Sequence, residues 1–333
     1  MKLSIVVATF NRADSLALTI DSVSSLTPSP HLDVELVVVD NNSRDHTRTV
    51  VEHAARNCRF PIRYVHERSQ GSNSARNAGI AQSTGDVLAF IDDDNTLSSG
   101  WLAGVGRACA DCSQASLLSG RIVPVFPGQN PGFIPDWIPD VWRATYGLQD
   151  YGAVPIELRA PVLPFEMNLI VPRTVFRECG VFGTAVQRSS RGLISNDGLD
   201  FVNRVRARHG VCMYHPAFLA HHHIPGARAT PGYLLSRAFW QGVSDARCDP
   251  IVAASSRTKL AKAAFRHAWR LVRDASRDYL SPRRTRRHLG AGDLERRCLM
   301  AHRRGLMMEY FGIAFARRRG GTESATDAVS VSG

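Results

Sequence analysis

Gly85-Asp86-Val87-Leu88-Ala89-Phe90-Ile91-Asp92-Asp93-Asp94 decides how this chain is read. Its apolar run is continuous rather than alternating, the pattern of a strand buried on both faces, and it empties into three consecutive carboxylates. Adjacent carboxylates repel and raise one another's pKa, so a cation or a set of donors has to hold them together. Taken alone, the cluster admits two readings. One is a divalent metal site carrying a phosphorylated substrate, since Mg2+ and Mn2+ take oxygen ligands and share them with phosphates. The other is an acidic turn capping the next helix.

The residues upstream repeat the strand pattern. Leu3 to Ala8 is a short apolar run ending in Thr9-Phe10-Asn11-Arg12, and Val34 to Val39 is a second, delivering Asp40-Asn41-Asn42. Ile62 to Val65 is a third. Between them lie helical patterns: one capped by Asp14 with Leu16, Ile20 and Val23 on one face, then Thr47 to Cys58, then Asn73 to Gln82. Alternating strands and helices predict an α/β fold with an open, mostly parallel, Rossmann-like sheet flanked by helices. Ligands of such sheets bind at the carboxyl ends of the strands, so Thr9, Asp40 and the acidic run converge on one crevice. No G-x-G-x-x-G follows the first strand, which argues against a dinucleotide cofactor.

Downstream, Leu102 to Cys112 reads as a helix and Leu117 to Val125 as a strand. Residues 122–165 hold 8 of the 17 prolines together with Trp137, Trp142, Tyr146 and Tyr151. A long irregular loop follows from that density, its aromatics divided between ligand contact and core. A helix running to His209 precedes a strand over Val211 to Tyr214. The neighbouring His221-His222-His223 cannot all face one ion on an extended chain, so they are either polar surface residues or supply a single metal ligand.

The net charge of +11 is unevenly placed. Lysine plus arginine and aspartate plus glutamate cancel at 23 each through Ala254, whereas residues 255–320 hold 18 basic against 5 acidic residues. Basic side chains interleaved with Leu260, Phe265, Trp269 and Val272 suit an anionic membrane surface; no nucleic-acid fold motif accompanies them. Hydrophobic content of 44% excludes wholesale disorder, and seven scattered cysteines suit reduced thiols in a cytoplasmic protein. No apolar stretch reaches the length of a membrane span, and Leu3 to Ala8 is too short for a signal segment.

The motifs Ser4-Ile5-Val6-Val7-Ala8-Thr9-Phe10-Asn11-Arg12, Val38-Val39-Asp40-Asn41-Asn42-Ser43, Ala75-Arg76-Asn77-Ala78-Gly79 and Phe90-Ile91-Asp92-Asp93-Asp94 resemble, in order and spacing, those of family 2 inverting glycosyltransferases of the GT-A fold. The resemblance implies a nucleotide-sugar pocket. Asp40 would meet the base, Thr9, Asn11, Arg12 and Asn42 would line the nucleotide site, and Arg76 would position the pyrophosphate or brace the acidic turn. Asp94, with Asp92 nearer the ribose and His222, favoured by its spacing from Pro216, would hold a divalent metal, Mn2+ or Mg2+; on an extended chain Asp92 and Asp94 point the same way and Asp93 the other, so Asp93 would face solvent. Asn168 would line the pocket, although Phe165-Glu166 stands where the family has small residues. Asp197, in Ser195-Asn196-Asp197-Gly198, aligns with the catalytic base, and Asp200 competes for that role.

These readings predict a GT-A catalytic domain over residues 1–225, with a nucleotide-sugar half (1–105) and an acceptor half (106–225). A basic helical extension over 226–320 and a disordered tail over 321–333 complete the chain. The expected activity is metal-dependent sugar transfer from a nucleotide-sugar donor to a hydroxyl of a glycan or lipid-linked acceptor. It is placed in the cytoplasm, peripherally on the inner membrane face, with no nucleic-acid partner. Two rivals stay open: a sugar-phosphate nucleotidyltransferase, and an inactive glycan- or membrane-binding module of the same fold.

Overall fold

The computed structural model describes residues 1–184, 193, 196, 198–249, 256–279 and 291–316. Strands β1 (Lys2–Thr9), β2 (Asp33–Asp40), β3 (Ile62–His66) and β4 (Val87–Asp92) are parallel, side by side in the order β3-β2-β1-β4. Helices α1 (Ala13–Ser24), α2 (Thr47–Asn57) and α3 (Ser72–Gln82) connect them. Continuous apolar strands follow from burial on both faces. Ile5, Val7, Leu36, Val38, Ala89 and Ile91 pack with Leu16, Ile20 and Val23 of α1. The opposite side chains Val6, Val37, Val39, Leu88 and Phe90 pack with Ala75 and Ile80 of α3 and with Phe176, Phe182 and Phe201.

One polar knot ties the amino ends of these strands. Ser4 Oγ, Thr84 N and Thr84 Oγ1 all donate to Glu35 Oε1, at 2.6, 2.6 and 2.8 Å. Burial alone would raise the Glu35 pKa; the donors from Ser4 and Thr84 outweigh it and hold the carboxyl below its usual range.

Beyond β4 the sheet becomes mixed. The elements are β5 (Asn95–Leu97), α4 (Trp101–Asp111), β6 (Ala115–Val125), β7 (Ile156–Glu157), β8 (Asn168–Pro172), α5 (Arg173–Cys179), α6 (Leu199–Ala207) and β9 (Val211–His223). The full order is β3-β2-β1-β4-β8-β6-β9-β5, with β7 also on β9. Strand β8 runs antiparallel to both β4 and β6, because it arrives through the proline-rich segment rather than through a helical crossover. The expected strand at Val211 continues to His223 and pairs with both β6 and β5, which carries all three histidines into the sheet.

The expected α1 cap is corrected. Asp14 is exposed in the first turn, and the Ala13 N–H donates instead to Asp45 Oδ2 at 3.0 Å, a carboxylate supplied by the loop after β2.

The chain divides into two compact units, the second comprising residues 135–142, 192–196 and everything from 230 onward. In it, α7 (Pro231–Cys248), α8 (Arg257–Tyr279) and α9 (Ala291–Ala316) form a helical group. Leu260, Ala263, Ala264, Tyr310 and Ala314 make its core. A Cβ on Gly242 would collide with the His302 carbonyl and one on Gly305 with the Phe239 carbonyl, so glycine is what lets α7 and α9 approach this closely. Polar ties complete the unit: Tyr310 Oη donates to Asp249 at 2.6 Å, and Asp245 meets His302 Nε2 at 2.8 Å.

Candidate active site

Strand register assembles the site. Thr9 lies opposite Asp40, and Ala8 opposite Asp92. The loops beyond are stapled together. Asn11, at φ +51°, donates its N–H to Ser43 Oγ at 2.9 Å and accepts from Arg44 N at 2.7 Å; asparagine tolerates that left-handed conformation. Asn42, at φ +66°, is exposed at the tip of the second loop. Asp40 is buried, with Ser43 N donating to one oxygen at 2.8 Å and Tyr64 Oη to the other at 2.7 Å. Burial and that carboxylate push the Tyr64 hydroxyl up to about 12.

The acidic run turns where strand alternation was expected to continue. Strand β4 stops at Asp92, and Asp93 and Asp94 form the turn into β5. Asp93 therefore does not face solvent; it is 5% exposed. Thr9 Oγ1 donates to its Oδ2 at 2.7 Å and Arg12 Nη1 to its Oδ1 at 2.8 Å. The same Arg12 nitrogen reaches Asp94 Oδ2 at 2.7 Å, with Arg228 Nη1 3.6 Å away on that oxygen. Burial opposes ionisation of both aspartates. At Asp93 burial and the adjacent Asp94 charge prevail over Arg12 and raise the pKa. At Asp94 the effect of burial is overcome by His222, Arg12 and Arg228, and the pKa falls.

Asp94 Oδ1 is a buried oxygen with no hydrogen-bond partner. His222 Nε2 lies 3.6 Å from it, too far for a hydrogen bond. The other imidazole nitrogen, Nδ1, is 2.8 Å from the Tyr146 carbonyl oxygen, which can only accept, so Nδ1 carries a proton and the ring is fixed. Gly147 secures that contact: its φ is +79°, and a Cβ there would come within 2.7 Å of His222 Nδ1. An imidazole oriented by a carbonyl, with its second nitrogen beside a buried carboxylate oxygen that accepts no hydrogen bond, is a donor set that fits a divalent cation. Among the described residues no group of three His, Cys, Asp or Glu side chains forms a protein-only metal site, so phosphate or water oxygens would complete the coordination.

Asp92 turns toward Arg76, whose Nη2 is 3.5 Å from Asp92 Oδ1 and whose Nη1 is 2.8 Å from Glu166 Oε2. Arg76 thus braces the acidic turn. Asn168 is fully buried: its Nδ2 donates to the Arg121 and Phe218 carbonyls at 3.1 and 3.0 Å, and its Oδ1 accepts from Trp101 Nε1 at 3.0 Å. Those bonds tie β6, β8, α4 and β9 together, so the Asn168 amide serves the core rather than the crevice wall. Asp197 lies outside the described residues. Asp200 is paired with Arg204 at 3.0 Å, its side chain 64% exposed. A cleft of about 370 Å³ opens beside Asp94, walled by Asn11 to Ser15, Asp45, His46 and Pro225.

Sequence reasoning missed Arg228, the Tyr146 carbonyl and Glu166. Only Glu166 had a signal. It is the departure from small residues noted above, and it supplies the charge that Arg76 meets; a Cβ on Gly198 would collide with its side chain.

A mixed α/β sheet presenting this crevice at its strand ends defines a glycosyltransferase of the GT-A fold. Residues 4–122 match the model described as Glycosyl transferase family 2, the family whose motifs this stretch resembles. The glucosyl-dolichyl phosphate glucuronosyltransferase of Haloferax volcanii is 27% identical over 263 residues, 78% of this chain and 81% of that protein. The succinoglycan biosynthesis protein ExoM of Rhizobium meliloti is 25% identical over 248 residues, 74% of this chain and 75% of that protein. Among solved structures, GalNAc-T7 with UDP, GalNAc and Mn2+ superposes with a TM-score of 0.52 at 16% identity, covering 74% of this chain and 50% of that one, a likeness of fold.

Proposed function

We propose that the chain transfers a hexosyl or deoxyhexosyl group from a nucleoside diphosphate sugar to a hydroxyl of a lipid-linked or polysaccharide acceptor, with Mn2+ or Mg2+ as cofactor. The observation that carries this reading is the buried Asp94 Oδ1, which accepts no hydrogen bond and lies 3.6 Å from His222 Nε2. Asp94 and His222 would hold the ion, whose charge stabilises a departing diphosphate. Arg12 lines the cleft while bonded to Asp93 and Asp94, and so offers positive charge toward the phosphates. Asp40 at the end of β2, bonded by Tyr64 of β3, stands for the base, and Asp92, braced by Arg76, for the ribose. Asp197 accepts the proton of the attacking hydroxyl.

The relatives named above support the substrate classes. One carries a dolichyl-phosphate-linked acceptor in its name and another a polysaccharide, while the structural neighbour holds UDP and Mn2+. The reading places the enzyme peripherally at the cytoplasmic membrane face; among the described residues no helix is long and apolar enough to cross a membrane. Thermal-shift screening of UDP-, GDP- and dTDP-sugars with and without Mn2+ tests it. Stabilisation by one donor should require the metal, and Asp94→Asn should lose that metal-dependent increment. Undiminished transfer by the wild type in EDTA would overturn the metal assignment.

A further inference from the structure

Helix α8 presents two apolar faces. Leu260, Ala263 and Ala264 are buried in the core of the second unit. Phe265, Trp269 and Val272, at i, i+4 and i+7, point the other way and are 68%, 58% and 69% exposed. They form a ridge about 10 Å long at 1.5 Å per residue. Exposed Lys262, Arg266 and Arg270 flank it, and the Arg273 guanidinium lies 5.4 Å from the Trp269 ring centroid. The helix as a whole holds seven basic residues against two acidic ones.

An apolar ridge of that size in water is costly unless something covers it. A second copy of the chain would bring the same excess of positive charge against itself. A nucleic acid would match the charge and leave Phe265 and Val272 without a role. A surface that is negative outside and apolar a few ångströms below matches both features, because such helices lie in the plane of the bilayer with their apolar side chains among the acyl boundary. Tryptophan beside arginine belongs at that depth.

We infer that the Phe265-Trp269-Val272 face of α8 docks the enzyme on an anionic phospholipid surface, with Lys262, Arg266 and Arg270 meeting the headgroups. This deepens the peripheral reading above and rests on it, but its test does not depend on catalysis. The full chain should float with phosphatidylglycerol-containing vesicles and not with phosphatidylcholine vesicles. Neutralising each basic residue to glutamine should lower binding about fivefold. The triple variant Phe265→Ser, Trp269→Ser, Val272→Ser should lose binding at least tenfold while its melting temperature and its Mn2+-dependent nucleotide shift stay as in the wild type. Brominated lipid should quench fluorescence in the wild type, with that quenching absent from Trp269→Phe. Wild-type flotation by the triple variant would overturn the inference. So would a wild-type dimer in light scattering that the triple variant abolishes without lipid, or duplex DNA displacing the vesicles at equal charge. Loss of flotation with intact donor binding leaves the transferase assignment standing, and loss of donor binding with intact flotation does the reverse.

Discussion

At the carboxyl ends of β1 and β4, two aspartates that are 5% and 6% exposed share one guanidinium nitrogen at 2.8 and 2.7 Å. Along α8, by contrast, lysine and arginine stand in solvent beside an apolar ridge. The first arrangement has opposite charges locked together where water cannot relieve them, so the loss of any member leaves a buried charge uncompensated. The second has one sign of charge, fully solvated, that contributes little to folding and acts on whatever approaches. Substitutions in the crevice should therefore move rate and stability steeply, and substitutions on the helix should move association alone.

The largest effects belong to the chemistry. Asp94→Asn should lower transfer by about 10³-fold, the scale of removing one fixed electrostatic stabiliser of developing charge. Asp197→Asn should lower kcat by about 10²–10⁴-fold, the contribution of a general base, with the donor thermal shift unchanged. Asp200→Asn is the control: an exposed carboxylate paired to Arg204 should be dispensable for transfer. If Asp200→Asn rather than Asp197→Asn abolishes turnover, the base has been misassigned.

Arg12→Met isolates the buried cluster from the chemistry. Removing the one nitrogen that Asp93 and Asp94 share should destabilise the metal-free chain by about 3–5 kcal/mol, read from urea unfolding. Added Mn2+ should restore part of the loss, since the acidic turn then gains another cation. A loss below about 1 kcal/mol would mean that the two carboxylates are relieved some other way.

The same contrast explains what could be read from sequence. Apolar strands and polar strand ends report themselves through local pattern, which is why β1 to β4, Asp40 and the acidic run were legible. His222, singled out by its spacing from Pro216 and by the family resemblance, is the one of the three histidines buried beside Asp94. Partners across long separations leave no such trace. Arg228 reaches Asp94, and the Tyr146 carbonyl fixes His222 across 76 residues. Neither pairing has a spacing that periodicity could register. Asp93 was misread for a different reason: a period of two was carried past Asp92, where the chain had already turned. Asn168 was placed by its position in a motif, and that position says nothing of whether the amide faces the crevice or the strands behind it.

A smaller effect tests burial without catalysis. Glu35→Gln keeps an oxygen for the three donors on Oε1 but removes the charge that strengthens those bonds, and should cost about 1 kcal/mol at pH 7. Because the folded Glu35 pKa is depressed, its contribution is fully present above the unfolded value of about 4.3 and fades as pH falls through the folded one. The wild type should therefore lose stability on acidification below about pH 5 more steeply than Glu35→Gln. Parallel pH profiles for the two proteins would show that Glu35 is not held as an anion in the fold.

The smallest expected change in folding comes from the helix, and it draws the contrast most sharply. Arg266→Gln with Arg270→Gln should leave unfolding within about 0.5 kcal/mol, as for surface sites without buried partners. Raising salt from 0.1 to 1 M shortens the screening length from about 10 to about 3 Å. That step should strip the wild type from anionic vesicles and leave the Arg12 cluster almost untouched, because ions do not enter between side chains 2.7 Å apart. If the same salt step lowers wild-type stability by as much as Arg12→Met does, the crevice charges are open to solvent and the two regions obey one rule.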